Sequence, residues 1–291
     1  MTRTIACVIA IVAAAAAPLI AQDGAAPGQG LDAAGRVDWT AGRIVVEVTR
    51  LLDPSTASLV RAKSDAETDL DQRLPGALAR ALGPLTVDSS HTLSDFYSSD
   101  PELFARLNDI AVHAQRTELF LTTDFTALVA RYAIPFFGEK GIALPLYPSK
   151  ATPIRRRLGD VTTRAYTGLL IFARGMLPVS GTSRTAAARP ALFPRIWDER
   201  MNLVLDKDMC TPESLVKWGM VGYSEAVDDP MADQRVGLVP LRLAARGVFG
   251  DNGTDIVISA DGARQLLALP ENISLLQTGR IVIVYDRLDS R

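Results

Sequence analysis

The run Thr167-Gly-Leu-Leu-Ile-Phe-Ala-Arg-Gly175 lies in the middle of the chain and is too apolar for a solvated edge. It has an echo in Leu241-Arg-Leu-Ala-Ala-Arg-Gly247. Both runs end in Ala-Arg-Gly, where a strand can stop on a residue free to adopt a positive φ. The echo predicts two neighbouring strands of one sheet, with Arg174 and Arg246 at similar ends and able to face a partner's carboxylate together.

From this stretch outward, residues 161–291 read as a mainly β domain with two short helices. A Ser/Thr/Gly/Ala-rich loop, Ser180-Gly-Thr-Ser-Arg-Thr-Ala186, follows the first run. Ala191–Ile196 and Met201–Leu205 are predicted as a strand pair joined through Asp198-Glu199-Arg200. Thr211-Pro-Glu reads as the start of a short helix, with Pro212 at its first position. Asp251-Asn-Gly is a hairpin turn signal before the strand Asp255–Ser259. Ser259 caps a helix over Ala260–Leu269, and Gly279–Tyr285 closes the chain as a buried strand.

The first half has a different pattern. Arg43-Ile-Val-Val-Glu-Val-Thr49 is β-branched and apolar, as a strand requires. Leu59, Ala62, Ala66, Leu70, Leu74, Leu78 and Ala81 recur at three or four residues, which lines one face of a helix over 56–82. Pro75-Gly76 is expected to kink or split that helix. Leu85–Asp88 is a short strand candidate, Pro101 opens a second helix, and Thr117–Thr123 and Thr126–Ile134 read as strands. Helices on one face of a small, largely antiparallel sheet make this an α+β domain over 37–134. Pro135, Pro145, Pro148 and Pro153, with Gly138 and Gly141, forbid long regular elements in 135–160, while Phe136-Phe137 and Leu144-Pro-Leu-Tyr147 are too apolar for a free linker. That segment is expected to be a packed crossing between domains.

Ahead of the fold, Arg3 followed by the apolar run Ile5–Ile20 has the form of a secretory signal over 1–21, with Ala21 at the cleavage site. The Gly/Pro/Ala-rich stretch 22–36 reads as a flexible leader. Export to the periplasm is therefore the expected localisation. Cys7 would be lost with the signal, leaving Cys210 alone and without an internal disulfide partner. Burial of that thiol is the favoured reading.

The chain has 291 residues, 48% hydrophobic and 22% charged, with formal net charge −2. That balance gives no electrostatic reason to expect nucleic acid or an anionic membrane surface. His91 and His113 are the only histidines, lie far apart in sequence and sit in no ligand-spaced motif, so neither zinc nor histidine-based catalysis is expected. No Gly-x-Ser-x-Gly elbow and no phosphate-binding glycine loop occurs. Paired carboxylates are what hydrolysis of a glycosidic bond requires. Asp198, Asp206 and Asp208 are the candidates, with Trp197 the one adjacent aromatic able to stack a sugar. A ligand- or glycan-binding module would instead need an aromatic groove with Trp39, Trp197 or Trp218 on its wall.

Val37-Asp-Trp39, Gly42-Arg-Ile-Val-Val-Glu-Val48, the helix segment Arg61-Ala-Lys-Ser-Asp-Ala-Glu67 and Leu85-Thr-Val-Asp88 resemble the LPP20-like domains of bacterial envelope and flagellar accessory proteins. The resemblance implies a small α+β module without known catalysis, and it supplies no functional residue to carry over. Many members are lipoproteins, whereas this chain has no cysteine at the mature start. The expectation is a non-catalytic exported accessory or scaffold protein in envelope or flagellar assembly. It needs no cofactor and acts through protein contacts, with Arg174, Arg246 and Trp197 as candidate partner-binding residues. The alternatives are a hydrolase using Asp198, Asp206 and Asp208, or the ligand-binding module.

Overall fold

The computed structural model describes residues 31–157 and 161–287. The expected signal segment, and residues 22–30 of the expected leader, lie outside the described residues. The remainder of that leader is not a coil. Asp32–Asp38 forms β1, paired antiparallel along its whole length with β2 (Arg43–Leu51). Asp-Ala-Ala-Gly-Arg-Val-Asp carries little intrinsic β signal. Its conformation comes from pairing with β2 and from Gly35, where a Cβ would lie 2.9 Å from the Ala81 carbonyl oxygen.

The rest of the first region is α1 (Leu59–Leu82), α2 (Leu93–Ser99), α3 (Pro101–Val112), β3 (Gln115–Leu121) and β4 (Ala127–Pro135). The sheet runs β1-β2-β4-β3 and is antiparallel throughout. Alternation decides its faces. Ile44, Val46 and Val48 of β2 and Ala130, Tyr132 and Ile134 of β4 are buried in one core with Leu70, Leu74, Ala77, Leu78 and Leu82 of α1. That buried stripe carries α1 unbroken through Pro75, against the expected split. The amide missing at one position costs less than the interface gains. Leu85–Asp88 forms only a bridge from Thr86 to Thr92. Asp100 caps α3 by accepting from the Glu102 and Leu103 amides at 3.0 Å.

Residues 135–157 hold no long element. Phe136, Ile142, Ala143 and Leu146 are buried, with a 3₁₀ turn at Leu144–Leu146. The Tyr147 hydroxyl donates to the Leu215 carbonyl at 2.9 Å.

The second region comprises β5 (Leu169–Ala173), the short pair β6 (Leu177–Pro178) and β7 (Thr185–Ala186), β8 (Ile196–Asp198), β9 (Leu203–Leu205), α4 (Pro212–Trp218), β10 (Gly222–Ser224), α5 (Pro230–Val236), β11 (Leu241–Ala244), β12 (Gly247–Phe249), β13 (Asp255–Ile258), α6 (Ala260–Ala268), α7 (Pro270–Gln277) and β14 (Ile281–Tyr285). The whole is α+β, a mixed first region followed by a mainly β one. The described residues add α5 and α7 to the two short helices expected.

The two Ala-Arg-Gly runs are adjacent strands. β11 pairs parallel with β5, Leu241 opposite Leu169, in a parallel sheet ordered β10-β14-β5-β11. A second sheet runs β12-β13-β8-β9, and the Asp251-Asn-Gly turn joins β12 to β13 as a hairpin. Residues 191–195 precede β8 and are not part of a strand pair. One hydrophobic cluster runs from Ile44 and Leu78 in the first region to Ile171 and Ile283 in the second.

Cys210 is fully buried, and desolvation pushes its thiol up to about 12. Since the thiolate is the reactive form, a thiol reagent added to the native protein at pH 8 should leave Cys210 unmodified and label it fully in denaturant. Rapid labelling of the native protein would show that Leu276 and its neighbours do not seal the site.

Candidate functional site

The first and second regions meet at an aromatic cleft. Three connections build it: the Trp39–Gly42 turn between β1 and β2, the segment Pro135–Gly138 after β4, and the α4–β10 connection around Trp218–Tyr223. Trp39 lies 5.0 Å from Phe136 and 5.6 Å from Tyr223 between ring centroids, and Phe137 continues the row edge-on to Phe136 at 6.1 Å. Tilted and edge-on pairs at such distances add to the area they bury. Backbone bonds close both ends: the Phe136 amide donates to Gly42 and the Gly138 amide to Val216, each at 2.8 Å. Phe137 lies over Gly219, where a Cβ would come 2.2 Å from the ring. The cavity left between these walls is about 370 Å³, within the range of small-molecule sites.

The charged groups of the cleft are basic. Lys217 and Arg235 line it, and among the described residues no Asp or Glu does. Arg235 is buried, and its guanidinium donates to three carbonyls, those of Gly279, Trp218 and Gly219, at 2.7–2.8 Å. Trp218 and Gly219 end α4, and Gly279 follows α7, so Arg235 ties together carbonyls that the helices leave without partners. Its pKa is pushed down to about 9 by burial, which leaves it a cation at neutral pH. Lys217, Arg235 and Arg280 all surround the Trp218 indole, at 4.6, 5.3 and 5.6 Å from the ring centroid.

The predicted site residues are placed differently. Arg174 and Arg246 lie just past the ends of adjacent strands but engage separate acids: Arg174 meets Asp286 at 3.6 Å and the Glu225 carbonyl, and Arg246 meets Glu199 at 3.7 Å. The fold brings their strands together while their guanidinium groups serve the ends of different connections. Trp197 has a structural partner. Its indole donates to Asp255 at 3.0 Å and packs edge-on to Phe249. Asp255 is completely buried and also accepts from the Arg195 amide. Burial raises its pKa, with the bonds from Trp197 and Arg195 opposing that rise.

Each carboxylate of the hydrolase reading has its own surroundings. Asp198 is buried, accepts from the Arg200 and Asn202 amides and the Asn202 side chain, and meets Arg157 at 3.2 Å. Burial alone would raise its pKa, but the Asn202, Arg157 and Arg200 bonds outweigh it and hold the carboxyl below its ordinary value. Asp206 pairs with Arg195 at 2.7 Å and caps the 3₁₀ turn that contains the exposed Asp208. Among the described residues, no group of three His, Cys, Asp or Glu side chains is placed to hold a metal ion.

The architecture is therefore an α+β sheet domain joined through an aromatic cleft to a mainly β region with a parallel sheet at its centre. Residues 31–139 match the family model described as the N-terminal domain of Treponema pallidum Tp0624. Residues 168–287 match the model of the second domain of the same protein. The chain is thus similar to two domains of one protein, in the same order. No curated protein matches it.

Proposed function

We propose that this chain is a non-catalytic exported accessory protein of the cell envelope that holds a protein partner on its first sheet. The observation that carries the reading is the unequal treatment of the two sheet faces. One face is covered by α1. The other presents Glu47, Arg131 and Glu118 as an ion-paired trio, with Arg131 over the Phe120 ring. At one end of that face, Leu51, Phe120 and Phe125 are exposed, Phe125 most of all at 59%. Phe125 holds a positive φ of 56° at the hairpin tip, an uncommon conformation for a bulky residue that keeps its ring exposed at the sheet end. An apolar end bordered by charge is the usual layout of a contact surface. The internal bonding of Asp198 and Asp206 supports the non-catalytic part, and the Arg3–Ala21 pattern supports export. No helix among the described residues is long and apolar enough to cross a membrane.

Immobilised protein lacking residues 1–21 and incubated with solubilised envelope should retain a discrete partner at a fixed ratio. The double substitution Phe120→Glu/Phe125→Glu should abolish retention, while truncating either residue to alanine weakens it by about 1–2 kcal/mol. Equal retention by the wild-type and the double-glutamate protein would remove the sheet face from consideration. Recovery of free monomer alone would remove the scaffold reading itself.

A further inference from the structure

The aromatic cleft lies away from the exposed Phe120 and Phe125, and it has a chemistry of its own. Five aromatic residues contribute to its lining: Trp39, Phe136, Phe137, Trp218 and Tyr223. Trp39, Phe137 and Trp218 are half-buried and offer ring surface to a flat guest, while Phe136 and Tyr223 are buried and pack against Trp39. Polar side chains able to read a ring of hydroxyls are few, which argues against a neutral sugar.

The cations beside it have no carboxylate. None of the ion pairs among the described residues involves Lys217, Arg235 or Arg280. A guanidinium has five N–H donors, and three nitrogen-to-carbonyl bonds leave Arg235 with donor capacity and its full charge. Three like charges around one indole repel one another, and one of them is buried, where charge is costly without a counter-ion. The Trp218 quadrupole compensates only in part. A negative group entering beside Lys217 and Arg235 would relieve this repulsion.

We infer that the cleft binds a small molecule with a planar ring and an anionic group, its ring between the aromatic walls and its anion at Lys217 and Arg235.

The test compares 1-naphthoate with the neutral 1-naphthalenemethanol by calorimetric titration of the purified full chain. Naphthoate should bind at least about tenfold more tightly, which corresponds to about 1.4 kcal/mol. Lys217 is exposed, so Lys217→Ala should leave the fold intact and remove most of the difference without weakening the neutral compound. Ala41→Trp, at the exposed turn on the rim, should block both compounds with an unchanged melting temperature. Equal affinity for the two compounds, no binding of either, or naphthoate binding that survives Ala41→Trp would each overturn the inference. None of these substitutions touches the sheet end at Phe120 and Phe125, so partner retention should be unaffected by them.

Discussion

Asp198→Ala should destabilise the fold by about 2–4 kcal/mol in urea unfolding, because its carboxylate is buried and multiply hydrogen-bonded while its ion-pair partner Arg157 is 39% exposed. The carboxylate belongs to the last residue of β8, where Asn202, Arg200 and Arg157 all bond to it. Its removal leaves the Arg200 and Asn202 amides and the Asn202 side chain, all partly buried, without a charged acceptor. The effect has a pH signature. Because the folded carboxyl lies below its unfolded value of about 3.9, its stabilisation is complete above that value and is lost as pH falls through the folded one. The gap between wild type and Asp198→Asn should therefore narrow on acidification. Asp255 has the opposite sign. Its burial-raised carboxyl disfavours the fold increasingly as pH climbs from the unfolded to the folded value. A loss below about 1 kcal/mol for Asp198→Ala, with no change in the pH profile, would return Asp198 to the list of groups free to do chemistry.

Elements were legible in the sequence where a period was long or a strand was β-branched. α1 could be read from its apolar stripe and β2 and β14 from their composition, and the adjacency of β5 and β11 from their shared ending. β1 was not legible, because Asp32–Asp38 becomes a strand only when β2 and α1 are beside it. α5 and α7 are too short for periodicity to speak, although each begins with a proline at the first helical position. α2 carries a local signal of its own. Thr92-Leu-Ser-Asp95 carries a capping-box spacing, and Asp95 accepts from the Thr92 amide at 2.6 Å. The site divides in the same way. Trp39 and Trp218 were named as possible walls of a groove, and both line the cleft. Phe136 and Phe137 meet them only through segments about eighty or more residues away, and Arg235 reaches Trp218 across α5 and β10, which no local pattern encodes. Arg174, Arg246 and Trp197 stood out by position or neighbours, but position along a strand does not say which acid or ring a long side chain will reach.

The central stretch makes the last prediction, because its two outer glycines are there for different reasons. Gly168→Ala should cost about 3 kcal/mol or more, the upper end for overpacking a well-filled site. A Cβ at Gly168 would lie 2.5 Å from both the Cα and the carbonyl oxygen of Val236, at the end of α5. Neither side can yield easily. The Gly168 carbonyl accepts from the Leu241 amide at 2.9 Å, which sets the start of β11. Thr167 clamps the same place, donating from its hydroxyl to Val236 and accepting from the Val239 amide. Gly175→Ala meets no atom within 4 Å, and its penalty comes only from a φ of 74°, about 1–2 kcal/mol for a residue with a Cβ. The two variants should therefore separate in thermal unfolding, at about 2–4 °C per kcal/mol for a chain of this size. Gly168→Ala should also loosen hydrogen-exchange protection in β11 and α5, while Gly175→Ala leaves both protected. Equal melting temperatures for the two would mean that α5 shifts to admit the methyl group, and that the β5–β11 pairing does not depend on this close approach.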